Sequence, residues 1–501
     1  MKRNTVAMIT AVTAMLTMAP AWAENLIRIG SPYQTTTLDP IRSSAAGNIE
    51  TFGQLYSRLL RRDADGKMQP GLAEEWTISD DGLELVFTLR DAKFSNGTPI
   101  IADDVAFSLT RAIKDEKSAY SATLAAIDSV TAVDSHTVRV TLKHKFAPIL
   151  ENLEVFNAGI VSKADVEARG EQAFVDKPVT SGPYEVREWR PNDRLILEPN
   201  PHYWREGYPK NDGAEFIEIS NANTRVSMMM SGELEAMREV PWSQLAEMQS
   251  RDNVTVALEP STMIYVTLLN ERRPPFDNVK ARQAAAYALN VPAIAKAMTE
   301  GHAQPANTTL PSALNYHDED FPGLPYDPAL ARTLLKEGGY DGKELTVLIA
   351  PTTDSDKLAT LLQAQWSAIG LKTKIEKVDR SVWWERVPAG DYDLAPSWWY
   401  NETPDPDLAV RWALCGSCGT YSFQTYYENA AVDQLTEQAV RELDPAKRAA
   451  LYAQIQRIST DEVAQIPLYY PPYANAYARD LQGLTLSPSL QWSLEEAVLS
   501  R

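Results

Sequence analysis

Short stretches that alternate apolar and polar residues recur along the chain, separated by turn residues and by longer stretches of helical period. The run from Leu26 to Ile29 predicts a strand that leads into SPYQTTTLDP, a loop whose hydroxyls and backbone can face a ligand. LELVFTL alternates strictly, between a hairpin turn at Asp81-Gly82 and a second turn at Asn96-Gly97. A helix is predicted to open near Ala102, with Asp103 and Asp104 in its first turn, where the helix dipole favours negative charge. Strand pairs are predicted in VTAVDSHTVRVTL and on either side of Pro191-Asn192-Asp193, and FAPILENLEVF reads as helical.

Further on, strands and helices take turns. TMIYVTLLN, residues 262 to 270, predicts a strand, and DNVKARQAAAYALN predicts a helix with Asp277 as its N-cap. DPALARTLLKEGGY predicts a helix closed by Gly338-Gly339, followed by the strand ELTVLIA. KLATLLQAQWSAIG then predicts a helix ending at Gly370, followed by the strand LKTKIEKV. Repeated βα units with added hairpins imply an α/β architecture. No low-complexity tract separates the halves, so short crossing strands are expected to join them.

The first 23 residues combine Lys2 and Arg3, an apolar run, and Ala21-Trp22-Ala23. This is the pattern of a secretory signal peptide cleaved after Ala23, and it places the mature chain in the periplasm. The apolar run is too short for a spanning helix, and no cysteine follows the cleavage site to carry lipid, so direct membrane insertion is not expected. A formal net charge of −19 disfavours nucleic acid and mildly favours cationic or zwitterionic solutes.

Signatures of nucleotide binding, serine hydrolases and zinc proteases are absent, so no catalytic residues and no cofactor are assigned. The five histidines, at 136, 144, 202, 302 and 317, have no metal-ligand spacing, and no metal site is expected. Cys415 and Cys418 form CGSC, the spacing of a redox dithiol or half a metal site. Outside the cytoplasm it reads as a structural disulfide holding a tight loop. Residues 391 to 412, DYDLAPSWWYNETPDPDLAVRW, set Trp398 and Trp399 beside Asn401, Glu402, Asp405 and Asp407. Stacking faces beside carboxylates suit an ammonium group, while Asp405-Pro406-Asp407 reads as a helix N-cap. Strand alternation sends Trp398 and Trp399 to opposite sides and leaves open which one faces inward.

Several blocks in order, LAEEWTISDDGLELVFTLRDAKFSNGTPIIADDVAFSL, TSGPYEVREWRPNDRLILEPNPHYW, PPFDNVKARQAAAYALN, DPALARTLLKEGGY and WWYNETPDPD, resemble the family 5 extracellular solute-binding proteins. These are the dipeptide, oligopeptide and nickel-binding components of ABC importers. The resemblance implies a two-lobed periplasmic-binding-protein fold (type II, cluster C-like) with an extra subdomain in lobe I. Lobe I would comprise 24–53, 175–262 and 478–501, the extra subdomain 54–174, and lobe II 263–477. It also implies a monomer that closes on a small polar solute, a di- or oligopeptide or another amino-bearing compound, and delivers it to a membrane permease.

The alternatives are a metal-chelate or oligosaccharide binder of the same family or, in a different class, a periplasmic hydrolase. In the peptide binders an aspartate three residues after a tryptophan pairs with the ligand's α-ammonium. Carried over here, that pattern puts Trp399 at the tryptophan and Glu402 at the aspartate, one methylene longer. The remaining candidates for the cleft wall are Tyr33, Thr35 and Thr36 after the first strand, Tyr265 and Asn270 on the strand entering lobe II, Trp398, Asn401, and Arg380 for a ligand carboxylate.

Overall fold

The computed structural model describes residues 26–63, 66–350, 353–419, 422 and 424–500, so the signal peptide and its cleavage site lie outside the described residues. Two mixed sheets carry the two lobes. The first sheet runs, in spatial order, Val254–Glu259, Tyr473–Ala478, Ala236–Met237, Leu26–Ser31, Gly213–Glu218, Arg194–Pro199 and Tyr184–Arg190. Its central strands, Leu26–Ser31, Gly213–Glu218 and Ala236–Met237, are parallel. The second sheet runs Gln304–Pro305, Ile466–Tyr470, Met263–Leu269, Leu394–Tyr400, Leu345–Ile349 and Thr373–Lys377, and its last three strands are parallel.

The chain crosses between the sheets twice, through Pro260-Ser261-Thr262 and back through Pro471-Pro472, and the Ser261 hydroxyl donates to the Pro471 carbonyl. The expected edge of lobe II at residue 477 is therefore displaced. Tyr473–Ala478 pairs along its whole length with Val254–Glu259 and belongs to the first sheet. Its small and aromatic residues fit either sheet by pattern, and only the pairing decides.

A third body has its own core. Ala73–Ile78, Glu84–Leu89, Thr137–Leu142 and Ile127–Ala132 form an antiparallel sheet, with Leu85, Phe87, Val138 and Val140 buried on one face. Helix Ala102–Lys114 covers that face with Val105, Leu109 and Ala112, and the Asp104 carboxylate accepts from the Ile101 N–H at 3.0 Å at its start. FAPILENLEVF differs from its prediction. It holds only a one-turn helix, Ile149–Asn152, and a short 3-10 turn, Phe156–Ala158, because its apolar residues fill two separate cores. In the second lobe, helix Val279–Tyr287 is capped by Asn278, whose side chain accepts from the Lys280 N–H, and not by Asp277.

The bodies touch. The Ala147 N–H donates to the Val440 carbonyl at 2.7 Å, Val440 completes the core of the third body, and Trp242 stacks on His302 at 5.8 Å.

Candidate functional site

Both lobes turn the carboxyl ends of their parallel strands toward the space between them, the end at which open α/β sheets bind ligands. On the second lobe this end carries Trp398 to Tyr400 and the start of the antiparallel strand Met263–Leu269. Alternation now separates the two tryptophans. Trp399 is a core residue, 3% exposed, with its indole N–H donating to Gln465 at 3.2 Å and its ring edge-on to Trp412. Trp398 is half-buried on the opposite face and stacks on Tyr400 at 6.1 Å. Trp399, expected as a wall residue, thus packs inside the lobe, and Trp398, Tyr400 and Glu402 follow one another at every second position.

The loop that holds Glu402 is fixed from both sides. Asn401 donates to the carbonyls of Thr403 and Asp405 at 2.6 and 2.8 Å, and the Thr262 hydroxyl of the crossing segment donates to the Asn401 carbonyl at 2.6 Å. Asn401 therefore shapes the loop and does not reach into the cleft. Asp405 accepts from the Asp407 N–H at 2.9 Å one position ahead of the helix Asp407–Ala413, whose N-cap is Pro406 with no side-chain cap, so the expected N-cap is not formed; Asp405 instead makes a buried bidentate pair with Arg448. So constrained, Glu402 is 8% exposed and accepts a hydrogen bond from the Tyr120 hydroxyl of the third body. Among the described residues no lysine or arginine forms a salt bridge with it. Burial pushes its carboxyl up to about 7, against the lowering effect of the Tyr120 hydrogen bond. Tyr400 closes the same side by donating to the Ser44 carbonyl at 3.1 Å.

Across from this face, lobe I presents Tyr33, Glu50, Arg238 and Glu239. Arg238 and Glu50 form an ion pair, each 1% exposed, and the guanidinium lies 5.2 Å from the ring centroid of Tyr473 and 5.6 Å from that of Tyr33. The Tyr33 hydroxyl donates to Glu239. Next to these residues is a small recess of about 20 Å³, lined by Ser31, Tyr33, Thr35, Glu50, Trp189 and Asn192. Thr35 donates to the Gly47 carbonyl at 3.3 Å, and Thr36 donates through its N–H and hydroxyl to Asn48, so both hydroxyls help to hold their own loop. Tyr265 stands opposite Trp398 in the sheet register and stacks on Tyr469.

Two expected residues stand elsewhere. Asn270 lies past the far end of its strand, away from the cleft, and donates to the carbonyls of Gly390 and Tyr392 at 2.8 and 3.0 Å. Arg380 is exposed at the start of helix Arg380–Arg386, after the edge strand Thr373–Lys377 and two strands away from Trp398. Glu50, Tyr120, Arg238, Glu239, Tyr400 and Tyr469 were not singled out by sequence reasoning. Of these only Tyr400 carried a signal, its two-residue spacing between Trp398 and Glu402. Cys415 and Cys418 are joined as a disulfide, with Cα atoms 5.4 Å apart.

The chain belongs to the bacterial extracellular solute-binding proteins of family 5, whose model matches residues 67–420. It is 30% identical over 505 residues to the glutathione-binding protein GsiB of Escherichia coli O1:K1 / APEC, a match covering 99% of this chain and 98% of that one. The ABC transporter-associated periplasmic binding protein DppA from Helicobacter pylori, solved with the peptide STSA, is similar with a TM-score of 0.85 and 25% identity, over 95% of this chain and 98% of that one. The binding protein MoaA from A. tumefacien R10, solved with mannopinic acid, is similar with a TM-score of 0.83 and 26% identity, over 96% of this chain and 100% of that one.

Proposed function

We propose that this protein is the substrate-binding component of an ABC importer. In this reading it is exported to the periplasm by a signal peptide cleaved after Ala23, and it holds a di- or oligopeptide or another amino-bearing solute between its lobes. One observation carries the choice of ligand. Glu402 is buried where the second lobe meets the third body, on a loop beside Trp398 and Tyr400, with a tyrosine hydroxyl and, among the described residues, no salt-bridged cation as its partner. A buried carboxylate without a counter-charge is costly, and a ligand ammonium entering there supplies one while the aromatic faces stack on its stem. The ligand then favours the arrangement in which the lobes touch, because only there are all its contacts made. The peptide bound to the Helicobacter DppA and the name of the Escherichia relative support the same class. The body between residues 54 and 174, with Tyr120, acts as an extra subdomain of the first lobe that reaches the ligand. The ligand leaves unchanged to a membrane permease.

Native mass spectrometry of the protein purified from its periplasmic fraction tests this reading. The expected result is a co-purified solute bearing a free amine, displaced by added dipeptide. A neutral sugar or a metal chelate in its place would refute it.

A further inference from the structure

The third body is joined to the two lobes in different ways. Paired charges fix it to the segment that follows the strand Leu26–Ser31 of the first lobe. Arg111 holds Asp39, a fully buried carboxylate, with two parallel bonds, and Arg42 holds Asp115 with two bonds of 2.8 Å. Breaking the Arg111–Asp39 pair strands a buried charge, so the third body moves with the first lobe. Its contacts with the end of helix Ala430–Arg441 in the second lobe are of a kind that water can replace. The Ala147 N–H donates at 2.7 Å to the carbonyl of Val440, one of the last four of that helix, which have no partner inside it. The Val440 side chain is 0% exposed and completes the core around Leu85, Phe146 and Ile149. Beside it Leu443 lies over the hairpin turn at Gly82, its Cδ1 3.7 Å from where a Cβ there would stand.

The same helix end is tied to the loop of Glu402. Arg448, 4% exposed, donates through Nε to the Ala439 carbonyl at 2.9 Å, while both its Nη atoms bond Asp405, three positions after Glu402. One guanidinium thus sets the loop of the carboxylate relative to the residue before Val440. The third body meets the second lobe at both ends of this path, through Ala147 at Val440 and through Tyr120 at Glu402.

We propose that the third body is a clasp. It travels with the first lobe, seats Val440 when the lobes touch and releases it when they part, and so holds the closed arrangement by contacts that are not the ligand's own. A ligand on Glu402 and Val440 in its seat then reinforce each other, because Arg448 links the two places. The inference rests on the reading that a ligand is held between the lobes, and the experiment separates the two.

Hydrogen exchange of the full chain, read at single amides by mass spectrometry, tests the clasp first without ligand. The Ala147 amide is expected to exchange tenfold or more faster than the most protected amides of strand Thr137–Leu142 and of helix Pro445–Asp461, because the seat opens while both bodies stay folded. Equal protection would mean that the seat opens only on unfolding, and would overturn the clasp. In Val440→Asp the Ala147 amide should exchange tenfold or more faster again, while the strand and helix amides keep their wild-type rates and show that the variant is folded. An unchanged Ala147 rate would also overturn the clasp. If the strand amides speed up as well, Val440→Thr, which keeps the side-chain shape, replaces the variant under the same criterion. The dipeptide Ala-Phe is then added to the wild type and is expected to slow exchange at Ala147. Binding seen by calorimetry with no slowing at Ala147 would overturn the clasp. No binding of the dipeptide removes the peptide reading, and the two ligand-free comparisons decide the clasp.

Discussion

At the scale of single residues, the protonation of Glu402 governs how binding should respond to pH. With the lobes touching, burial pushes its carboxyl from the ordinary 4.5 up to about 7, because burial penalises the charged form. A raised carboxyl pKa favours the touching lobes while the group is protonated. That stability is complete below about 4.5, is lost as pH rises toward 7, and stays lost above it. A ligand ammonium needs the ionised carboxylate, so binding releases a proton below 7 and affinity climbs with pH by up to about tenfold per unit, then levels. Calorimetry in buffers between about pH 5 and 8 should find this rise in the wild type and a flat, weaker affinity in Glu402→Gln. The same rise in the variant would assign the proton to another group. The family pattern points to Glu402 as the position of the ammonium partner, but the burial that shifts its titration is not legible in the sequence, where it stands among several acidic residues of a loop. Of the acidic residues around it, Asp405 pairs with Arg448 and Asp407 with Arg411, partners that lie far apart along the chain or one helical turn away, while among the described residues Glu402 has no salt bridge.

At the scale of elements, the strand Leu394–Tyr400 shows what a pattern can and cannot decide. WWY at its end predicts alternation, but which tryptophan points to the core follows only from the neighbours, Gln465 and Trp412 on one side and Tyr265 on the other. Replacing Trp399 with alanine should cost about 3–5 kcal/mol of stability, as large core truncations do. Trp398→Ala should cost about 1 kcal/mol or less and lower ligand affinity instead. Denaturant unfolding and calorimetry on the two variants separate these effects, and a reversal of the two would mean that the strand faces have been misassigned. The helices and hairpins of strong period, such as Ala102–Lys114 and Glu84–Leu89, were readable from the chain, because their buried residues follow the spacing of the element itself. Residues 473 to 477 are expected in the second lobe from the sequence, whereas the strand Tyr473–Ala478 pairs within the first sheet. Its sheet is set by partners more than 200 positions away, at Val254–Glu259, and nothing local encodes them.

At the scale of the whole molecule, two short crossings joined by the Ser261–Pro471 hydrogen bond connect the sheets, and Thr262 ties the first crossing to the loop of Glu402. Movement at the hinge is therefore linked to the position of the carboxylate, a route by which a ligand on Glu402 can favour closure. In this arrangement Tyr120 of the third body bonds Glu402 of the second lobe, and the buried Arg238–Glu50 pair belongs to the first. The central claim is that a ligand ammonium on Glu402 draws the lobes together. Titration calorimetry of one dipeptide with a free amino terminus against the same dipeptide N-acetylated tests it most directly. Tenfold or greater weakening on acetylation is the predicted result, and equal affinity for the two would contradict it.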